Sequence, residues 1–230
     1  MKLKTFTRPP YAARFAYRKE VNDYYVILSA FVEDEYGFTK MGLKPGNVAI
    51  DIGAHIGAAT LLLAVMGLQV YAYEALRENY DLLVQNILDN GASKAHYHRR
   101  AVCDTNEQVT VHLGAIEDMA HRFMGNMYSS TKDTQLVPGT TLDSIFEANE
   151  IERCAVLKMD CEGAEWAILE AASDDTLSRI DRIVGEYHTV GGIMKTRAMM
   201  LDATRGMFED VTVGEDPGGL GHFLFARRRA

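Results

Sequence analysis

Short apolar runs recur along this chain, each with a carboxylate at or beside its C-terminal end. They are VAIDI at 48–52, QVYAY at 69–73 followed by Glu74, CAVLKMD at 154–160 and IDRIVGEY at 180–187. Runs of this length without strict alternation predict parallel strands buried on both faces. His96 to Val102 reads as the third strand of the series, and Gln108 to Leu113, with Val109, Val111 and Leu113 alternating, as an extra one. Helical spacing fills the gaps. An apolar stretch follows Gly57, and residues 77–89 place Tyr80, Leu83, Val84 and Ile87 on one side before Asn90-Gly91 stops the helix.

The second half continues the pattern. Thr141 is placed to cap LDSIFEAN, and CEGAEWAILEAA carries an apolar face of Trp166, Ile168, Leu169 and Ala172, with Trp166 expected in the core. Residues 193–205 form a further helix in which Met199 and Met200 pack. Phe208–Val213 and Gly221–Ala226 read as a closing hairpin. Strands alternating with helices predict a doubly wound, Rossmann-like α/β sheet, mostly parallel with a C-terminal antiparallel hairpin. A single domain over 1–230 is expected, with 1–40 as an N-terminal arm or lid and the irregular stretch 114–139 as a substrate-side insertion.

The turn after the first strand narrows the chemistry. Asp51, Gly53 and Gly57 form D-x-G-x-x-x-G. A dinucleotide fingerprint needs G-x-G-x-x-G for its pyrophosphate, and Ala54 and His55 stand where glycine would be required. A Walker loop needs Lys-Ser or Lys-Thr after the second glycine, which is absent. A carboxylate at the strand end disfavours a phosphate and suits a ligand with an amino group, such as S-adenosylmethionine (SAM). Glu74, about twenty positions after the loop, is placed for ribose hydroxyls. Ala101 and Val102 are candidates for the adenine wall, and Asp160 for the methionine end.

Composition changes the picture in three places. A hydrophobic content of 47% with 24% charged residues is that of an ordinary globular chain, and a net charge of −8 argues against a large nucleic-acid footprint. The longest apolar run, within 58–68, is too short to span a membrane. The N-terminus has no apolar core of a secretory signal, and Cys103, Cys154 and Cys161 lack metal spacing, so a cytoplasmic protein with reduced thiols is expected. Cys161, with no evident partner, reads as a buried thiol. Locally the balance reverses: Lys2, Lys4, Arg8, Arg14, Arg18 and Lys19 interleave with Phe6, Tyr11, Phe15 and Tyr17. The favoured reading packs those aromatics on the domain; the other makes the arm a grip for an anionic substrate.

From about Tyr36 to His188 the chain resembles the FkbM-type SAM-dependent methyltransferases. VAIDIGAHIG resembles that family's first motif, with His55 where asparagine is usual. YEALRENYDLLVQNILDNG resembles the second, with Ala75 where proline is common. TTLDSI resembles the approach to the fourth strand, and LKMDCEGAEWAIL matches the K-x-D-x-E-G-x-E element. The resemblance implies the class I methyltransferase arrangement. It also implies cofactor contacts from Asp51, Gly53, Ala54, His55, Gly57, Glu74, Ala75 and Asp160, and O-methylation of hydroxyls on natural products or sugars. Ser129 and Ser130 resemble a serine pair of the family's insertion.

Methyl transfer to an alcohol needs an acceptor oxygen held in line and a base to take its proton. The ends of the fourth and fifth strands present Asp160, Glu162, Glu186 and His188. His188 is the preferred base because its unperturbed pKa lies nearest neutrality. Glu186 could orient it or act itself, and Glu162 completes the catalytic set. Glu165 reads equally as a helix-dipole partner. Mg²⁺ held by Asp160, Glu186 and His188 is the less favoured alternative. The expected partner is a small hydroxylated acceptor, with N-methylation and a catalytically silent SAM-binding scaffold as rivals.

Overall fold

The computed structural model describes residues 1–112, 134–161, 163–187, 193–212 and 221–228. They fall in two units, Met1–Arg99 and Arg100–Ala230. The first begins with a hairpin where the sequence suggested an arm. Strands β1 (Lys2–Arg8) and β2 (Tyr11–Tyr17) pair antiparallel, Lys2 opposite Tyr17 and Phe6 opposite Ala13. Alternation puts Phe6, Ala13, Phe15 and Tyr17 on one face, and that face is buried. Phe15 meets Phe31 edge-on at 5.3 Å.

Two of the basic residues are committed internally. Arg8 donates to Val32 O, Asp34 and Thr39, and Arg18 forks onto Asp23. Helix α1 (Asp23–Val26) widens into a π-helical turn over Ile27–Glu33, which buries Ile27, Ala30 and Phe31.

The predicted strand–helix alternation then follows. Strand β3 (Val48–Ile52), helix α2 (Ala58–Val65), strand β4 (Gln69–Tyr73), helix α3 (Arg77–Asp89) and strand β5 (Ala95–His98) succeed one another. β3 and β5 both pair parallel with β4. The inner face of α3 differs from the one its apolar spacing suggested. Asn79, Leu82, Leu83, Asn86 and Ile87 are buried, while Tyr80 and Val84 are only partly so. Asn86 and Asn90, one turn apart, each accept from and donate to the backbone of β2, at Ala16 and Arg14.

In the second unit, the expected strand His96–Val102 proves to be two. β5 ends at His98; after Arg99-Arg100, β6 (Ala101–Val102) pairs parallel with Gly139 and Thr140 of β8 (Thr134–Thr140). β7 (Gln108–His112), the extra strand, runs antiparallel to β8. The end of the expected insertion, 134–139, is therefore strand. Val137 is fully buried there.

Thr141 caps α4 (Leu142–Ala148) by accepting from Ser144 N. β9 (Val156–Met159), α5 (Glu165–Ala171), α6 (Asp174–Ser178), β10 (Arg182–Tyr187), α7 (Ile193–Ala203), β11 (Phe208–Asp210) and β12 (Gly221–Arg227) complete the chain. β9 and β10 are parallel; β12 runs antiparallel to both β10 and β11. Gly185 lets β10 close on β9, since a Cβ there would lie 1.6 Å from Met159 O.

Trp166 is a correction. It is 41% exposed, because Ile168 and Leu169 take the inner face of α5. Helix α6, begun by Ser173 accepting from Thr176 N, was not foreseen. No helix among the described residues is long and apolar enough to cross a membrane.

Candidate active site

At the end of β3 the chain makes a turn that only certain residues tolerate. Gly53 and Gly57 have φ of 73° and 91°, and His55 lies between them at 50°. The left-handed region is open to glycine and, among other residues, favours asparagine, aspartate and histidine. Gly53 N and Ala54 N both donate to Tyr73 O at 3.0 Å, and Gly57 N closes on Ala54 O at 2.8 Å. Asp51, fully buried, accepts from Thr60 Oγ1 at 2.6 Å, which ties the strand end to the first turn of α2. Thr60 was not singled out from the sequence.

Glu74 is the centre of this arrangement. Its Oε2 accepts His55 N and its Oε1 accepts Leu76 N, both at 2.8 Å. One buried carboxylate thus fastens the loops after β3 and β4 together. Ala75, between the two contacts, is partly exposed. Asp51, Gly53, Ala54, His55, Gly57, Glu74 and Ala75 all belong to the first unit, within this pair of loops.

In the second unit, Lys158 is buried and its Nζ lies 3.8 Å from Asp160 Oδ2. Glu165 Oε1 accepts Cys161 N at 3.0 Å and Gly163 N at 3.3 Å, so this carboxylate shapes the turn into α5. Burial pushes the Cys161 thiol well above its ordinary pKa, and Glu165 and Asp160 add to the shift, which leaves it protonated and a poor nucleophile.

At the far end of β10, Glu186 faces His222 across the antiparallel pair, with Oε1 3.2 Å from His222 Nε2. His222 was missed by sequence reasoning; the register of β12 against β10 alone reveals it. Ala101 and Val102 are buried in β6. His188, Glu162, Ser129 and Ser130 lie outside the described residues.

The methyltransferase FkbM domain family matches residues 51–210, from the buried aspartate of β3 through β11. The chain belongs to the FkbM family of SAM-dependent methyltransferases. No curated protein matches it. Among solved structures it is similar to an FkbM methyltransferase of Methylobacillus flagellatus, with 18% identity and a TM-score of 0.53 over 92% of this chain and 56% of that one. It is also similar to an rRNA methylase of Streptococcus thermophilus, at 12% identity and TM-score 0.53 over 86% and 96% of the two chains. A third is the T. thermophilus 16S rRNA N2 G1207 methyltransferase in complex with AdoMet and guanosine, at 14% and 0.51 over 99% and 50%. These likenesses establish the fold foreseen from the sequence, a mostly parallel α/β class I methyltransferase sheet with an antiparallel strand pair.

FkbM membership makes sense of the His55 backbone. Asparagine, usual in the family there, and histidine share a tolerance for left-handed φ, so the substitution preserves the turn. The residues present also suit the family's cofactor. Glu74 places a carboxylate between the loops after β3 and β4, and a carboxylate accepts donors such as ribose hydroxyls.

Proposed function

We propose that this FkbM methyltransferase transfers the methyl group of SAM to a hydroxyl of a small natural-product or sugar-like acceptor, with Glu186 as the group that takes the hydroxyl proton. The observation that carries the reading is the Glu186–His222 pair at 3.2 Å. A carboxylate paired with an imidazole at a strand end can accept a proton and is held in one orientation, which a lone surface glutamate is not. His188, two positions on in sequence, remains part of the proposal as a second base, and Glu162 as a substrate contact.

When bound, SAM supplies an electrophilic methyl carbon. The chain's own contribution begins with Asp51 and the Gly53–Gly57 loop, assigned to the methionine moiety, and Glu74, assigned to the ribose. Ala101 and Val102 are assigned to adenine and Asp160 to the methionine end. Cys103, Cys154 and Cys161, none of them in a disulfide, fit a reducing, cytoplasmic setting.

A nucleic-acid acceptor is the second reading, favoured by the two ribosomal RNA methyltransferases among the similar structures. The net charge of −8 weighs against it. The deciding experiment follows radiolabelled methyl from SAM into a panel of hydroxylated small molecules and into ribosomal RNA. Transfer to the small molecules, lowered about 10²-fold or more by Glu186→Gln with S-adenosylhomocysteine affinity intact, is expected. Unchanged turnover in that variant, or transfer to RNA alone, would overturn the proposal.

A further inference from the structure

The Gly53–Gly57 loop is held by more than its own sheet. Besides the bonds from Tyr73 O and Glu74, two side chains reach it from outside. Asn86 of α3 donates to Ile56 O at 2.8 Å, and the same side chain accepts Ala16 N at 2.7 Å and donates to Ala16 O at 3.1 Å. Asp23 of α1 places Oδ1 3.5 Å from His55 Nε2. That carboxylate is itself fixed by Arg18, whose backbone N, Nε and terminal nitrogen reach it at 2.7, 2.9 and 2.8 Å, and whose guanidinium also donates to Asn79 at 2.7 Å. Asp23 and Asn86 are both fully buried.

Two consecutive loop residues, His55 and Ile56, are therefore each tied to the N-terminal hairpin and helix through one buried polar side chain. Neither tie is needed to form β3 or α2. Both act where the backbone is least self-supporting, since His55 holds a left-handed conformation that non-glycine residues adopt only when their surroundings impose it.

We propose that Asp23 and Asn86 are positioning residues for the cofactor. They transmit the placement of the N-terminal hairpin to the loop backbone at His55 and Ile56, opposite the grip of Glu74. The inference rests on the reading of that loop as the SAM site. In this account the first forty residues set cofactor affinity without touching the cofactor, and the basic residue Arg18 serves as a strut for Asp23.

The test is a double-mutant cycle on the full chain, read by calorimetric titration with S-adenosylhomocysteine and, separately, by the thermal midpoint of the unliganded protein. His55→Asn keeps a residue that tolerates the left-handed backbone and removes the link to Asp23; Asp23→Asn removes the charge from the other end. Each single variant should weaken binding about tenfold, and the double variant no more than the weaker single, because both cut the same connection. A merely structural role for Asp23 would lower the thermal midpoint and leave the affinity of the folded protein, and its coupling to His55, unmoved.

Binding by His55→Asn as tight as that of the natural sequence overturns the proposal, even if Asp23→Asn fails to fold. So do additive losses in the cycle. Failure of the natural sequence to bind S-adenosylhomocysteine would instead overturn the reading of the loop as the cofactor site. Asn86→Asp, which keeps the acceptor for Ala16 N and removes the donors to Ile56 O and Ala16 O, should weaken binding comparably.

Discussion

Two loops of this protein are each fastened by a buried glutamate, and the two fastenings differ in reach. Through Cys161 N and Gly163 N, which donate to one oxygen from within the same turn, Glu165 shapes the chain locally. Glu74 works at a distance, one oxygen on the neighbouring Leu76 N and the other on His55 N from a different strand's loop. The first arrangement shapes a single bend. The second fixes the spacing between two strand ends. A buried carboxylate in a loop is thus not in itself a ligand site; what it ties together decides its use.

The largest expected effect concerns the local fastener. Glu165→Ala strands two buried or half-buried N–H groups and should lower stability by about 3 kcal/mol in urea unfolding. Glu165→Gln, by removing the charge that helps raise the Cys161 thiol, should also speed alkylation of Cys161 at pH 8 to 9. If alanine there left stability unchanged and only abolished ligand binding, the contrast between the two glutamates would collapse.

Next in size, Glu74→Ala should weaken S-adenosylhomocysteine binding at least about tenfold, or about 1.4 kcal/mol, beyond any loss of stability. Equal affinity for the variant and the natural sequence would reduce Glu74 to a second local fastener.

The smallest effect extends the comparison to a third carboxylate. Burial alone would raise the pKa of Asp143, but hydrogen bonds from Thr176 and Ser173, with Arg179 nearby, leave it below the ordinary value. A depressed carboxyl stabilises the fold above the unfolded value of about 4 and loses that contribution as pH falls through the lower folded value. Asp143→Asn should therefore lower stability modestly at neutrality and flatten the acid limb below about pH 4, the two proteins converging at the acid end. An acid limb as steep in the variant as in the natural sequence would remove Asp143 from the set.

Much of this arrangement was legible in the sequence, for physical reasons that also mark where legibility ends. Strands β3 and β4 and helix α3 were predicted with the boundaries found, because short apolar runs mark the strands and helical spacing stopped by Asn90-Gly91 marks the helix. The cap at Thr141 was equally readable, being set within four residues. Position 55 was legible as a site but not as a left-handed residue.

What escaped was held by contacts between distant segments. Hydrophobic periodicity counts Asn79 and Asn86 as solvent-facing, yet both are buried, because Asn79 accepts from the Arg18 guanidinium and Asn86 meets backbone groups of Ala16 and Ile56. His222 could not be paired with Glu186 before the register of β10 and β12 was known. Trp166 went the other way, a large apolar residue at helical spacing that the core did not take.

The two asparagines of α3 bear on how a helix can mate with a strand at all. Successive helix positions four apart advance about 6.0 Å, and alternate residues of a strand about 6.6–6.8 Å. Asn86 and Asn90 meet Ala16 and Arg14 across that near-coincidence, the helix presenting side-chain amides where another strand would present peptide groups. The scheme works like a vernier. Two graduations line up within the play of an amide, whereas a third would miss by more than about 1 Å. Deleting one residue between Asn86 and Asn90 would turn one amide about 100° away from the hairpin and leave a single rung.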